Sequence, residues 1–161
     1  MIEINNNLKF QDNFLPLELI DRICYQALNS KWHAQTSTGE ENPNWFWQLD
    51  FEHFKETENL KQIINDHILR IYINGQSYTQ HGDFHQDDGE KTYLIGLNKD
   101  WSVEKGGATE FLLDNQSSMS IYPIYNRVII FNSTILHRAL PNLNKKDFRM
   151  TLAIKTRSKD D

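Results

Sequence analysis

His85, Asp87, His137 and Arg149 are the residues of this chain whose types and order can do chemistry together. A histidine and a carboxylate two positions apart point to the same face of an extended strand. A second histidine from a remote strand completes two imidazoles and one carboxylate on one side of a metal ion. That set leaves coordination positions open and suits non-haem Fe(II). Arg149 supplies a planar fork for the carboxylate of a co-substrate. In Arg149-Met150-Thr151-Leu152-Ala153-Ile154-Lys155, the Arg149 and Thr151 side chains share one face, opposite Met150, Leu152 and Ile154. An arginine turned into a barrel needs an anion, because a buried unpaired charge is costly. The Thr151 hydroxyl can add a hydrogen bond to the same carboxylate.

His-x-Asp occurs twice, as His81-Gly82-Asp83 and His85-Gln86-Asp87. A strand over residues 78–87 puts all four side chains on one face, so either pair can supply ligands. Gly82-Asp83 has the character of a turn or bulge, and Phe84 can wedge into the core ahead of His85, so the second pair is preferred. Each residue also has a plain structural reading. These are a hydrogen-bonded surface pair, a satisfied core histidine at 137 behind Arg127-Val128-Ile129-Ile130-Phe131, and an ion pair for Arg149. The joint order of the four residues outweighs those readings.

The elements that must position them begin with a helix opened by Pro16 over residues 16–28. Its apolar spacing, Leu17, Ile20, Cys24, Ala27 and Leu28, makes Cys24 a buried small hydrophobe rather than a nucleophile. A polar stretch over residues 36–44 follows, then a strand over 45–51. Leu60, Ile63, Ile64, His67 and Ile68 mark one face of a second helix, with His67 in the core. From residue 70 the chain turns to short strands, expected at 70–73, 78–87, 91–97, 109–113, 118–122, 127–131, 136–140 and 148–155. About eight such strands predict a double-stranded β-helix, the cupin-like jelly roll, mainly β with flanking helices. The expectation is a single domain over 1–161, with a helical flank and first strands at 1–69 and the jelly-roll core at 70–156. His33 and His53 fall outside the constellation, and Trp45, Trp47 and Trp101 read as core-closing aromatics before substrate anchors.

Composition sets bounds. The 161 residues are 39% hydrophobic and 12% aromatic, enough for one core, and carry a net charge of -5. An acidic chain without a long basic run gives little support to nucleic acid or an anionic membrane as partner. Lys155-Thr156-Arg157-Ser158-Lys159, followed by Asp160-Asp161, reads as a solvated terminus. One cysteine excludes an internal disulfide and a thiolate-built metal cluster. The absence of a basic, apolar start and of a membrane-length run leads to the expectation of a cytoplasmic protein.

The order His85-x-Asp87…His137…Arg149 resembles the 2-oxoglutarate- and Fe(II)-dependent dioxygenases of the prolyl 4-hydroxylase-like type. Leu97-Asn98-Lys99-Asp100-Trp101, Gly106-Gly107-Ala108-Thr109-Glu110-Phe111 and Tyr72-Ile73-Asn74-Gly75 look like segments around that family's metal histidines. The match covers roughly residues 70–155. The resemblance implies that His85, Asp87 and His137 bind Fe(II), that Arg149 pairs with the distal carboxylate of 2-oxoglutarate, and that Tyr72 lines the same pocket. It implies hydroxylation of an unactivated C–H bond, on a peptidyl residue such as proline or on a small molecule, with release of succinate and CO2. O2 is then a co-substrate and ascorbate an accessory reductant. The carboxylate at 87 argues for hydroxylation, since related halogenases carry a small residue there. Gln86, Asp83 and Asn132 are the candidates to orient the histidines. Two departures stand out. Gly96 occupies the place of a tyrosine that helps hold 2-oxoglutarate in oxygen-sensing prolyl hydroxylases, leaving Thr151 to supply that contact. The interval between His137 and Arg149 is also slightly long, with a polar turn at 142–147. The alternatives are a non-enzymatic jelly-roll module binding a ligand or protein, and an alkylated-nucleic-acid demethylase, which the missing basic groove disfavours.

Overall fold

The fold is described from a computed structural model, which defines residues 1–36, 44–113 and 117–159. Most of the expected polar stretch at 36–44, and Asp160-Asp161, lie outside these residues. The chain begins with two short strands, β1 (Ile2–Asn5) and β2 (Leu8–Gln11), then helix α1 (Leu17–Asn29). Strands β3 (His33–Thr36) and β4 (Trp45–Asp50) and helix α2 (Glu56–Ile63) follow. The remainder is β5 (His67–Gln76), β6 (Lys91–Gly96), β7 (Thr109–Leu112), β8 (Ser118–Ile121), β9 (Val128–Asn132), β10 (His137–Ala139) and β11 (Arg149–Arg157). Eight strands form one antiparallel sheet in the order β1-β2-β9-β6-β11-β5-β4-β3, and β10-β7-β8 form a second.

Strand alternation divides the interior into two. On β11, Met150, Leu152 and Ile154 face the helices and pack with Ile20, Ile23 and Cys24 of α1 and Leu60 of α2. On β9, Val128 and Ile130 face the same side, while Ile129 and Phe131 turn toward the smaller sheet and meet Leu8, Phe111 and Ile121. The helices thus seal one face of the large sheet, and the other face becomes the inside of a jelly roll. In that interior β11 is central. Thr151 lies opposite Asn74 of β5 and Gly96 of β6, and Lys155 lies opposite Arg70 and Thr92. The odd-numbered residues of β11 and the even-numbered residues 72, 74, 92 and 94 therefore share the inner face.

Several sequence expectations are corrected. Residues 78–87 do not form a strand. Gln80 N–H closes a turn onto Ser77 carbonyl at 3.1 Å, and Thr79 takes a positive φ of 66°, so the alternation that put four side chains on one face is broken. The second helix stops at Ile63, and His67, expected in its core face, is exposed as the first residue of β5. The turn at Asn65-Asp66 ends helical periodicity there and starts a strand period. The terminal basic run is not wholly solvated: Arg157, Ser158 and Lys159 are exposed, but Lys155 and Thr156 are buried because β11 continues through them. Strands β1, β2 and β3 carried no recognisable signal: each has four residues, β1 and β3 with mostly exposed side chains and β2 with only Leu8 fully buried.

Candidate metal centre

The irregular segment between β5 and β6 supplies one histidine and the carboxylate. It runs beside β10 and is pinned there by backbone bonds. His85 and His137 exchange two N–H···O=C bonds of 3.0 Å each, and Asp87 N–H donates to Ser133 carbonyl at 2.9 Å. A single antiparallel bridge therefore sets the two imidazoles side by side, ring centroids 4.4 Å apart. His85, Asp87 and His137 each offer one ligand atom, and all three atoms lie within 4.8 Å of one another. They are the metal-capable group among the described residues. His81 and Asp83 stand apart from it. The His81 ring bonds to Thr79 carbonyl at 3.1 Å, and the Asp83 carboxylate accepts from Asn44 at 2.7 Å.

Hydrogen bonds decide which ring nitrogen faces the centre. His85 Nδ1 lies 2.9 Å from Asp83 carbonyl, and His137 Nδ1 lies 2.9 Å from Ile135 carbonyl. A carbonyl only accepts, so both Nδ1 atoms carry hydrogen, and in a neutral imidazole Nε2 is then a free lone pair. His85 Nε2 is 3.7 Å from Asp87 Oδ1, and His137 Nε2 is 3.4 Å from Asp87 Oδ2. Three ligand-type lone-pair groups converge, and one oxygen of the carboxylate, Asp87 Oδ2, is also met by the Lys155 ammonium and the Thr92 hydroxyl. Burial, then the neighbouring His137, push the His85 imidazole below its usual range, which favours the neutral, ligating form. Burial would by itself raise the Asp87 carboxyl. A hydrogen bond from His137, made only when that ring carries a second proton, and the Lys155 ammonium outweigh it and hold Asp87 well below the usual carboxylate range. The donor set thus fits a divalent ion with open positions.

Asp83 orients His85 through its backbone carbonyl rather than its side chain. Gln86 and Asn132 orient neither histidine. The Gln86 amide donates to Thr134 carbonyl at 2.7 Å, and the Asn132 side chain caps Thr134 N–H at 3.0 Å. Ile135 was not foreseen, because a backbone carbonyl leaves no mark in residue type.

Arg149 opens β11 into the same cavity as the triad, together with Tyr72, Asn74, Thr109, Thr151 and Lys155. The residue is only 2% exposed. Nε donates to Gly107 carbonyl at 2.6 Å and Nη1 to the Gln76 side-chain oxygen at 2.7 Å, while Thr151 and Thr109 hydroxyls stand at 3.5 Å. No carboxylate pairs with it among the described residues. Burial alone lowers its pKa to about 10, as for a cation lacking an anion. Gly107 has to be glycine: φ is +67°, and a Cβ would come within 2.8 Å of Arg149 Cδ. Gly96 cannot carry a tyrosine either, since a Cβ would meet the backbone oxygens of Pro123 and Ile124 at 2.4 Å. Thr151, Thr109 and Gln76 are the polar groups beside the guanidinium instead. Lys155 and Thr92, both buried on Asp87, are the site residues that sequence reasoning missed. A larger depression lined by His67, Arg157, Ser158 and Lys159 lies apart from this chemistry.

The model of the 2OG-Fe(II) oxygenase superfamily matches residues 67–154. The chain belongs to this superfamily. The match spans the triad, Arg149 and every strand that positions them. No curated protein matches the chain in sequence. Among solved structures, a prolyl-4-hydroxylase of Pseudomonas putida is similar at 16% identity and a TM-score of 0.69, with 96% of this chain and 94% of that one covered. A prolyl hydroxylase of Trichoplax adhaerens, in complex with a hypoxia inducible factor oxygen degradation domain peptide fragment, is similar at 15% identity and a TM-score of 0.77, covering 93% and 83%. HygX of Streptomyces hygroscopicus, with nickel and 2-oxoglutarate bound, is similar at 8% identity and a TM-score of 0.69, covering 92% and 81%. These likenesses establish the jelly-roll fold, and the superfamily assigns the chain to the oxygenase enzymes that use Fe(II) and 2-oxoglutarate. No helix of the described residues is long and apolar enough to cross a membrane.

Proposed function

We propose that this oxygenase hydroxylates an unactivated C–H bond, with Fe(II) held by His85, Asp87 and His137 and 2-oxoglutarate docked on Arg149. The observation that carries the reading is the buried guanidinium of Arg149, without a carboxylate among the described residues, in one cavity with three convergent metal-type donors. With O2, the ferrous centre supplies oxidative decarboxylation of the 2-oxo acid coupled to C–H hydroxylation, releasing succinate and CO2. The protein's part is placement. His85 and His137 present Nε2 because their Nδ1 hydrogens are committed to backbone carbonyls. Phe111 and Phe131 stack on and abut the His137 ring, at 5.9 and 4.6 Å between centroids, and keep water from its buried side. Arg149 fixes the distal carboxylate, Thr151 adds one hydrogen bond, and Tyr72 forms the cavity wall.

The favoured substrate is a peptidyl residue, in line with the peptide held by the Trichoplax structure; a small free molecule is the other class to screen. Ascorbate as accessory reductant, a cytoplasmic setting and one domain over 1–161 belong to the same reading. The test is aerobic incubation with Fe(II), 2-oxoglutarate and a peptide and metabolite panel, scored by succinate release. Substrate-dependent succinate supports the reading. Failure of saturating Fe(II) and 2-oxoglutarate to bind at all, by calorimetry under nitrogen, ends it.

A further inference from the structure

Lys155 is a buried lysine, 3% exposed, whose ammonium lies inside the candidate metal pocket. It sits on Asp87 Oδ2. Thr92 Oγ1 donates to that same oxygen at 2.7 Å and receives Lys155 Nζ at 3.3 Å. The Tyr72 ring centroid is 5.9 Å from Nζ. Asp87 therefore has one oxygen already engaged by two donors, and only Oδ1 is free of them. The next charges outward, Arg70 and Asp88, pair with each other at 3.4 Å and contribute little net field.

A cation permanently beside a cation site is at first sight a defect. Consider the charges held inside the pocket with neutral imidazoles: one carboxylate, Asp87, against two cations, Arg149 and Lys155. The pocket already carries one net positive charge, and a divalent ion raises that to three. A dianionic 2-oxo acid brings it back to one. Like charges a few ångströms apart in a mostly buried site repel strongly. The ion alone is therefore disfavoured, and the ion together with the dianion is favoured.

We propose that Lys155 couples the two ligands. It holds Asp87 by Oδ2 so that the carboxylate meets the ion through Oδ1 alone, weakens binding of the bare ion, and strengthens binding of the 2-oxo acid. Lys155 is a positioning residue, and the inference rests on the functional reading given above. By linkage, the factor by which the bound ion raises the acid's affinity equals the factor by which the bound acid raises the ion's.

The test is calorimetry on the full chain, first with Mn(II) alone and then with 2-oxoglutarate added to Mn(II)-saturated protein. Wild type is compared with Lys155→Met, Lys155→Gln and Lys155→Arg, each checked for cooperative thermal unfolding. The neutral variants should bind Mn(II) about tenfold tighter and 2-oxoglutarate about tenfold more weakly, and Lys155→Arg should keep both affinities near wild type. A merely structural lysine would shift both affinities downward or neither. Neutral variants with unchanged or weaker Mn(II) binding overturn the proposal. So does failure of both to fold, since the ammonium is then a structural requirement. If wild type itself binds Mn(II) but no 2-oxoglutarate, the functional reading fails and this inference falls with it.

Discussion

Arg149→Gln separates the two halves of the site. Glutamine keeps a donor for Gly107 carbonyl but removes the buried charge. The expected outcome is a loss of about 2–5 kcal/mol in 2-oxoglutarate binding, with Mn(II) affinity within a few-fold of wild type, both read by calorimetry. His137→Ala should do the reverse and strip metal from the protein, as measured by elemental analysis after equilibration with Mn(II). A binding module whose histidines are structural would show no change. These residues were legible in the sequence because imidazole, carboxylate and guanidinium carry their chemistry in their type, and because four of them in one order are rare by chance. Lys155 was not. The expected strand over 148–155 reaches it, but its role depends on β11 lying between β5 and β6 and on Thr92 standing opposite it, and both are matters of sheet order and register. A basic run near a chain end looks solvated until its strand is known to be central.

The helices and strands act on the site by fixing where β11 lies. Ile20 of α1 is fully buried against the face of the large sheet away from the metal. Ile20→Ala should cost about 2–5 kcal/mol in urea denaturation without abolishing Mn(II) binding in the folded protein. Cys24, on the same helix face, donates its thiol to Leu97 carbonyl at 3.1 Å, and burial, then Asp21, push its pKa up to about 11. At pH 8 it should alkylate about a hundredfold more slowly in the native protein than in denaturant. Comparable rates would mean that α1 does not seal the sheet. Amphipathic spacing made this helix readable, and apolar runs bounded by Gly, Asn and Pro made β6 to β11 readable. The segment carrying His85 misled because its alternating histidines and aspartates mimic a strand. The turn at residues 77–80 and the bridge to His137 hold it instead, and a one-residue bridge has no periodicity to read.

Two of the groups whose titration the fold shifts, His85 and Asp87, lie in the metal pocket. His85 protonates less readily folded than unfolded, so its contribution to stability is intact above about 6.5, its ordinary value, and is lost as pH falls below that. Asp87 is depressed in the fold, so its contribution is present above the ordinary carboxylate range and is lost only as pH falls through and below it. Denaturation midpoints of the metal-free protein should therefore be flat from pH 8 to about 6.5 and then decline. Mn(II) affinity should decline over the same acidic span, because protons compete for the imidazoles. A midpoint that rises on acidification contradicts this placement of charge. The central claim, one ion and one dicarboxylate sharing this cavity, is tested most directly by a crystal structure with Mn(II) and 2-oxoglutarate under nitrogen, the ion located by anomalous scattering. The account predicts a single peak bonded to Nε2 of His85 and His137 and to Oδ1 of Asp87, with the distal carboxylate on Arg149. A peak at His81 and Asp83, or a dicarboxylate bound away from Arg149, would contradict it.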